Sequence, residues 1–197
     1  MEDTAQKGFL SRNKTWIIIL IVLALIAMWA VGVRNGFVTK GEAITSQWAQ
    51  VENQYQRRFD LIPNIVNTVK GVAKQETTVF TAIADARTRY AGAQSTDAKA
   101  KAATEVESAL GRLLVIAENY PVLQSSQAYR DLIVSLEGTE NRISVERMKY
   151  NDLVRSYNTS VKVFPSSIVA KFSGVTEKEY FNVPDEVKNA PTVDFTN

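Results

Sequence analysis

The residues with chemical potential in this chain are carboxylates and arginines placed where apolar side chains would be expected. Glu76, Glu140 and Arg147 each fall on the apolar stripe of a helical pattern. The run "RRFDLIPNIV" at 57–66 sets Arg57, Arg58, Asp60 and Asn64 around Pro63. Carboxylates on such a seam could hold a metal ion between helices. In "SLEGTENR", Glu137 and Glu140 could also be read as the two carboxylates that flank a sugar in a retaining glycosidase. Helical-bundle metal sites, however, draw on Glu-x-x-His motifs, and the chain contains no histidine. It contains no cysteine either. Ser-His-Asp and Cys-His catalysis, imidazole and thiolate metal sites, haem ligation and disulfides are thereby removed together. A charge on a helix seam is costly unless it is paired, so Glu76, Glu140 and Arg147 are expected to meet opposite charges or the rim of a bundle. No catalytic, cofactor-binding or metal-binding residue is expected.

The elements that must position these groups begin with one apolar helix. "TWIIILIVLALIAMWAVGV", residues 15–33, carries no charged residue. At 1.5 Å per residue it covers about 28 Å, close to the hydrocarbon thickness of a bilayer. Trp16 and Trp29 stand near its ends, as interfacial aromatics do. The run is longer than the apolar core of a signal peptide, and no small-residue cleavage site follows promptly. Residues 15–34 are therefore expected to be a retained anchor whose partner is the lipid bilayer. Lys7, Arg12 and Lys14 precede it, against Arg34 and Lys40 after it, which predicts a cytoplasmic N-terminus and an extracytoplasmic domain. With 23 basic and 21 acidic residues and a net charge of +2, no basic run of the kind that tracks a phosphate backbone is present, so nucleic acid is not an expected partner.

Beyond Gly41 the apolar positions recur at helical spacing through Ile44, Trp48, Val51, Tyr55 and Phe59, then through Ile62, Val66, Val69, Ala73, Phe80 and Ile83. "AGAQSTD" at 91–97 reads as a loop, with Thr96 or Asp97 capping the next helix. Residues 98–118 are rich in helix formers. "ENYPVLQSS" breaks that helix at Tyr120-Pro121, and the last long pattern runs from Ser126 to the region of Pro165. An unbroken helix over 42–90 would leave the third helix without a partner of matching length. A reversal near Asp60, with Asp60 as N-cap and Pro63 in the first turn, gives four segments running up and down. In that arrangement Arg57, Arg58, Asp60 and Asn64 face Glu118, Asn119 and Tyr120 at a corner away from the membrane. A helix merely kinked at Pro63 is the competing expectation. Gly138 inside the last helix calls for a close neighbour.

The strings "WAQVENQYQRRFDLIPNIVNTVKG" and "EGTENRISVERMKYNDLVRSYN", with the tail that follows, resemble the LemA family of bacterial membrane-anchored proteins from about Gly41 to the C-terminus. The resemblance implies one N-terminal anchor followed by a helical bundle. It brings no catalytic residue with it. Some relatives are associated with membrane remodelling or occur beside membrane metalloproteases, which implies a scaffold or adaptor. Gln75 stands where relatives often carry histidine, so no family-wide role attaches to that position.

The expected organisation is an N-terminal flank at 1–14, the anchor at 15–34, an antiparallel all-α bundle at 41–173 and an extended tail at 174–197. In that tail Phe181, Val183, Val193 and Phe195 are too apolar for a solvated linker, and they either pack along their own bundle or dock into a partner. The expected function is a non-enzymatic scaffold in the bacterial inner membrane that binds a membrane protein or a second copy of itself. The alternative is a hydrolase using carboxylates at the membrane surface.

Overall fold

The computed structural model describes residues 3–73 and 76–181, with side chains from residue 14 onward. It contains α1 (Asp3–Lys70), α2 (Thr77–Gly92), α3 (Thr96–Glu118), α4 (Pro121–Ser125), α5 (Gln127–Lys162) and α6 (Ser166–Phe172). Among the described residues every regular element is helical, as the periodicity predicts. The helices form two compact units, Met1–Ala43 with Arg155–Lys178 and Ile44–Val154 with Glu179–Asn197.

In the second unit, cross-contacts fix the helix directions. Arg58 of α1 pairs with Glu140 of α5, while Gln47 of α1 donates to Glu146 of α5 at 2.6 Å, so residue numbers rise along one helix as they fall along the other. Glu52 and Arg58 of α1 meet Lys99 and Glu107 of α3 in rising order, so these two helices run parallel. Arg89 of α2 bonds Glu105 of α3 at 2.6 Å across a hairpin. The result is an up-and-down bundle of four segments. Its core is the shared stripe of Val51, Tyr55, Phe59, Ile62, Ile65, Val69, Ile83, Leu110, Leu113, Ile143 and Val154, all buried. Buried Ala100, Ala102, Ala103, Ala109 and Ala117 give α3 a smooth face for its neighbours.

The first break lies elsewhere than at Asp60. The α1 backbone is continuous through Pro63, and the chain leaves the helix only after Lys70. The reason is one of magnitude. Pro63 costs a helix interior about 3 kcal/mol. Ile65 and Val69 are fully buried, and each such side chain contributes about 1.5–3 kcal/mol. A reversal at Asp60 would take both out of phase with Val51, Tyr55 and Phe59, so the continuous stripe wins. Pro63 itself is exposed, where water can satisfy the carbonyl freed by its missing N–H. Asp60 caps nothing; its carboxylate accepts from Gln56 Nε2 at 2.8 Å, one turn earlier on the solvent face.

Other boundaries follow local chemistry. Ser95, one residue before the expected caps, accepts from Ala98 N at 3.1 Å and starts α3. Pro121 opens α4 at a position where its missing N–H is harmless. A Cβ on Gly138 would meet nothing within 4 Å, so no close helix accounts for that glycine, contrary to expectation.

The first unit holds the N-terminal part of α1, the end of α5 and the unexpected short α6. Phe37 and Tyr157 pack edge to face at 6.3 Å in its core. The Phe164-Pro165 bond is cis. At the end of α6, Gly174 adopts φ 66°, Val175 N bonds Ala170 O at 3.0 Å and Gly174 N bonds Lys171 O at 3.4 Å. This left-handed cap needs glycine, since a Cβ is unfavourable at that φ. α1 is the one described helix long and apolar enough to cross a membrane, and none of its most apolar stretch is buried in the protein.

Candidate functional site

Four charges on the helix seams of the second unit converge on one cluster. Arg58, two turns from Val51 on the buried side of α1, is 6% exposed. Its Nη1 binds Glu140 Oε2 of α5 and lies 3.5 Å from Glu107 Oε1 of α3. The same Glu107 oxygen receives Nη2 of Arg147. Arg147 stands seven residues beyond Glu140, two turns along the same face of α5. Its Nε donates to the Tyr55 hydroxyl at 2.9 Å, and its guanidinium lies 5.3 Å from the Tyr55 ring centre. The order Glu140, Arg58, Glu107, Arg147, Tyr55 alternates acceptors and donors and ties three helices together.

Electrostatics agree with a lock. Burial raises the Glu107 pKa above the ordinary carboxylate range; Arg147 and Arg58 oppose the rise and Glu140 adds to it. Burial alone would lower Arg147, but the Tyr55 oxygen and Glu107 reverse this and hold its proton more firmly. Burial likewise pushes the Tyr55 phenol upward, against the pull of Arg147. A carboxylate engaged by two guanidiniums is a poor general base, because its lone pairs are occupied by fixed donors. Arg58 Nε is the one atom of the cluster left buried without a partner.

The described end of the tail joins this cluster. Phe181 is buried, its ring 6.1 Å from Trp48 and 4.6 Å from the Arg147 guanidinium. Asn151 of α5 holds the Phe181 backbone from both sides: its Oδ1 accepts from Phe181 N at 2.8 Å and its Nδ2 donates to Phe181 O at 3.1 Å. In the first unit, Asn158 treats Lys178 the same way, with both bonds at 2.8 Å. An amide side chain that satisfies one N–H and one C=O fixes extended backbone without reading the side chain it carries.

The remaining expected residues are scattered. Arg57 and Asn64 are exposed on α1, and the corner that was to join them to Glu118, Asn119 and Tyr120 does not exist, because α1 does not turn there. Pro63 lines a shallow apolar cleft of about 490 Å³ with Ile62, Val66, Phe80 and Ile83. Glu76 sits at the start of α2 without a side-chain cap bond. Gln75, Val183, Val193 and Phe195 lie outside the described residues. Glu107, the hub, escaped notice in the sequence. It lies four residues after Ala103 and three before Leu110, both fully buried, and that spacing was the available signal.

The sequence model of the LemA family matches residues 47–195. Magnetosome protein MamQ 2 of Paramagnetospirillum magneticum is 26% identical over 193 residues, covering 84% of this chain and 71% of that protein. Magnetosome protein MamQ of Magnetospirillum gryphiswaldense is 26% identical over 174 residues, covering 75% of this chain and 64% of that protein.

Proposed function

This chain belongs to the LemA family, and from that premise we propose that it is a non-enzymatic, single-pass scaffold of the bacterial inner membrane. Residues 15–34 anchor it, residues 41–173 form the helical domain, and residues 174–197 are the tail. The domain binds protein partners at or near the membrane, with a second copy of the chain among the candidates. The magnetosome of the relatives' names describes those proteins, whose identity to this chain is 26%.

The observation that carries this reading is the consumption of the seam charges. Arg58, Glu107, Glu140 and Arg147 are spent on one another across three helices, which ties the second unit together and occupies its seam carboxylates. Two clefts of the second unit, one lined by Tyr129, Ile133 and Val134 and one by Ile62, Val66 and Ile83, are formed by other residues. A unit tied together in this way is suited to hold a surface in place.

Crosslinking in native membranes, followed by identification of captured proteins, tests the reading. Reproducible partners that persist when Glu107 and Glu140 are both replaced by glutamine are expected. A turnover activity abolished by those same replacements, in a chain that still folds, would refute it. Orientation is tested by a reporter fused at Asn197 that works only outside the cytoplasm. Activity of a cytoplasm-only reporter there would reverse the proposed topology.

A further inference from the structure

The first unit carries a second apolar surface besides the span. Phe172 is 89% exposed, Phe164 76%, Val163 51% and Ile168 48%. Ile168 and Phe172 are four residues apart and share a face of α6. The opposite side of α6 is already used, since Val169 and Ala170 are buried. These outward side chains are therefore not unfilled core. They form a strip on a turn that is itself held in place by the glycine cap at Gly174 and by Ser166, whose hydroxyl donates to Ser160 O at 2.7 Å.

Its place in the fold says what covers it. A cleft of about 380 Å³ is lined by Val33, Gly36, Phe37 and Lys40 of α1 together with Val163 of the turn before α6 and Ser166 at its start. The strip thus begins beside the end of the apolar stretch 15–33, within the same compact unit. Lys40 Nζ is tied to Ser160 Oγ, which fixes α1 to α5 at this level. Exposed Lys171 adjoins Phe172, the pairing of basic and aromatic side chains found where helices lie in a headgroup layer. A second copy is the weaker occupant. At about 200 Å² for a full aromatic side chain, the strip offers roughly 500 Å², short of the ~800 Å² per partner of a stable protein interface.

We propose that α6 and its preceding turn are a second lipid contact, with Phe164, Ile168 and Phe172 inserted in the interfacial layer of the bilayer that α1 crosses. The inference rests on the reading of residues 15–34 as a span. It gives the anchor two points of attachment, so that the orientation of the first unit on the membrane is set and not merely its tethering.

The chain has no cysteine, so single labels can be placed without background. Full-length Leu23→Cys, Phe164→Cys, Ile168→Cys, Phe172→Cys and Arg112→Cys variants carry an environment-sensitive fluorophore in vesicles of phosphatidylethanolamine and phosphatidylglycerol. Lipids bearing a nitroxide near the headgroup or at mid-chain are the quenchers. Label at 168 and 172 is expected to shift to the blue and to be quenched most by the shallow nitroxide. Label at 23 should be quenched most by the deep one, and label at 112 by neither. Label at 23 quenched but 168 and 172 in water would overturn this inference and leave the span. A blue shift at 168 and 172 without quenching by either lipid would assign the strip to a second copy and also overturn it. No quenching at 23 would overturn the span reading and this inference together. An Ile168→Asp change in the Phe164→Cys background guards against a label that inserts by itself: quenching at 164 should then fall, and unchanged quenching would count against the proposal.

Discussion

Two stretches of the same helix are built on opposite rules. Residues 15–33 of α1 are apolar on every side and carry no charge, and the protein buries almost none of them: Leu20, Leu23, Leu25 and Met28 are each more than half exposed. Residues 44–70 are apolar along one stripe only, and Ile44, Val51, Tyr55, Phe59, Ile62, Ile65 and Val69 on it are buried to within a few per cent. They carry Arg58 inside the bundle and Arg57 and Asp60 outside it. Both stretches are regular α-helix, so backbone propensity does not separate them. The distribution of side chains around the axis does. The first stretch is suited to a solvent that forbids charge everywhere. The second is suited to a core that accepts charge where partners are fixed.

The same substitution placed in each stretch breaks the comparison most sharply. Ile65→Asp puts an unpaired carboxylate at a fully buried position and removes an apolar side chain, a loss of about 5 kcal/mol. The helical domain should fail to show a cooperative thermal transition. Leu23→Asp should cost about 3 kcal/mol of membrane insertion and leave the thermal midpoint of residues 41–197 unchanged. Membrane fractionation and circular dichroism on both variants separate the effects. A lowered midpoint for Leu23→Asp would show that the first stretch packs on protein.

The charge that Arg58 of the second stretch meets in the bundle, Glu107 of α3, should reveal itself through pH. Because burial raises the Glu107 pKa above its ordinary 4.5, the folded state holds this proton more tightly than the unfolded chain. The stabilisation from the protonated form is complete below about pH 4.5 and is lost as pH rises through the folded-state value. Glu107→Gln should therefore flatten the fall in thermal midpoint as pH rises above 4.5, although its midpoint at neutral pH is lower for want of the Arg147 bond. A pH slope equal to that of the parent chain would mean that Glu107 titrates as an exposed carboxylate.

What the sequence made legible follows the same division. What is local was readable: the uncharged stretch 15–33, the stripes of α1 and α5, the helix-forming composition of α3, and the break at Tyr120-Pro121. What depends on partners distant in sequence was not. Glu107 sits among good helix formers and becomes a hub only through Arg58 and Arg147. Asn151 and Asn158 look like ordinary solvent-facing residues until the tail returns to them from 30 and 20 positions away. The break after Lys70 was masked because Ile62 to Ile83 keeps helical spacing across it. Proline drew attention to the wrong place, because an exposed proline costs less than a stripe out of phase.

Pro63 makes that trade measurable at a smaller scale. With the helix continuous, Pro63→Ala restores an N–H for the Phe59 carbonyl and removes a ring clash. The surrounding structure has adapted to the ring, and the unfolded chain gains freedom when proline is lost. These partial offsets leave an expected gain of about 1 kcal/mol out of the ~3 kcal/mol proline penalty. Chemical denaturation of the domain reads it directly. A loss of stability of similar size would indicate that the proline ring helps to seat the stripe.

The smallest expected effect is at Asp60, and its smallness is informative. A carboxylate that caps a helix is worth about 1 kcal/mol when removed, whereas one that accepts a single bond from a side chain one turn away on an exposed face contributes about 0.2–0.5 kcal/mol. Asp60 is exposed, four residues after Gln56 and bonded to its Nε2 at 2.8 Å. Asp60→Ala should therefore cost no more than a few tenths of a kcal/mol, partly offset by the better helix propensity of alanine. Gln56→Ala should remove the same interaction, and the double variant should be no worse than the sum of the two less the shared bond. Chemical denaturation at low salt resolves differences of this order if all four proteins are measured together. A loss of 1 kcal/mol or more from Asp60→Ala alone would mean that the helix starts anew at this residue, and that the continuity of the second stretch, on which its contrast with the first depends, fails in solution.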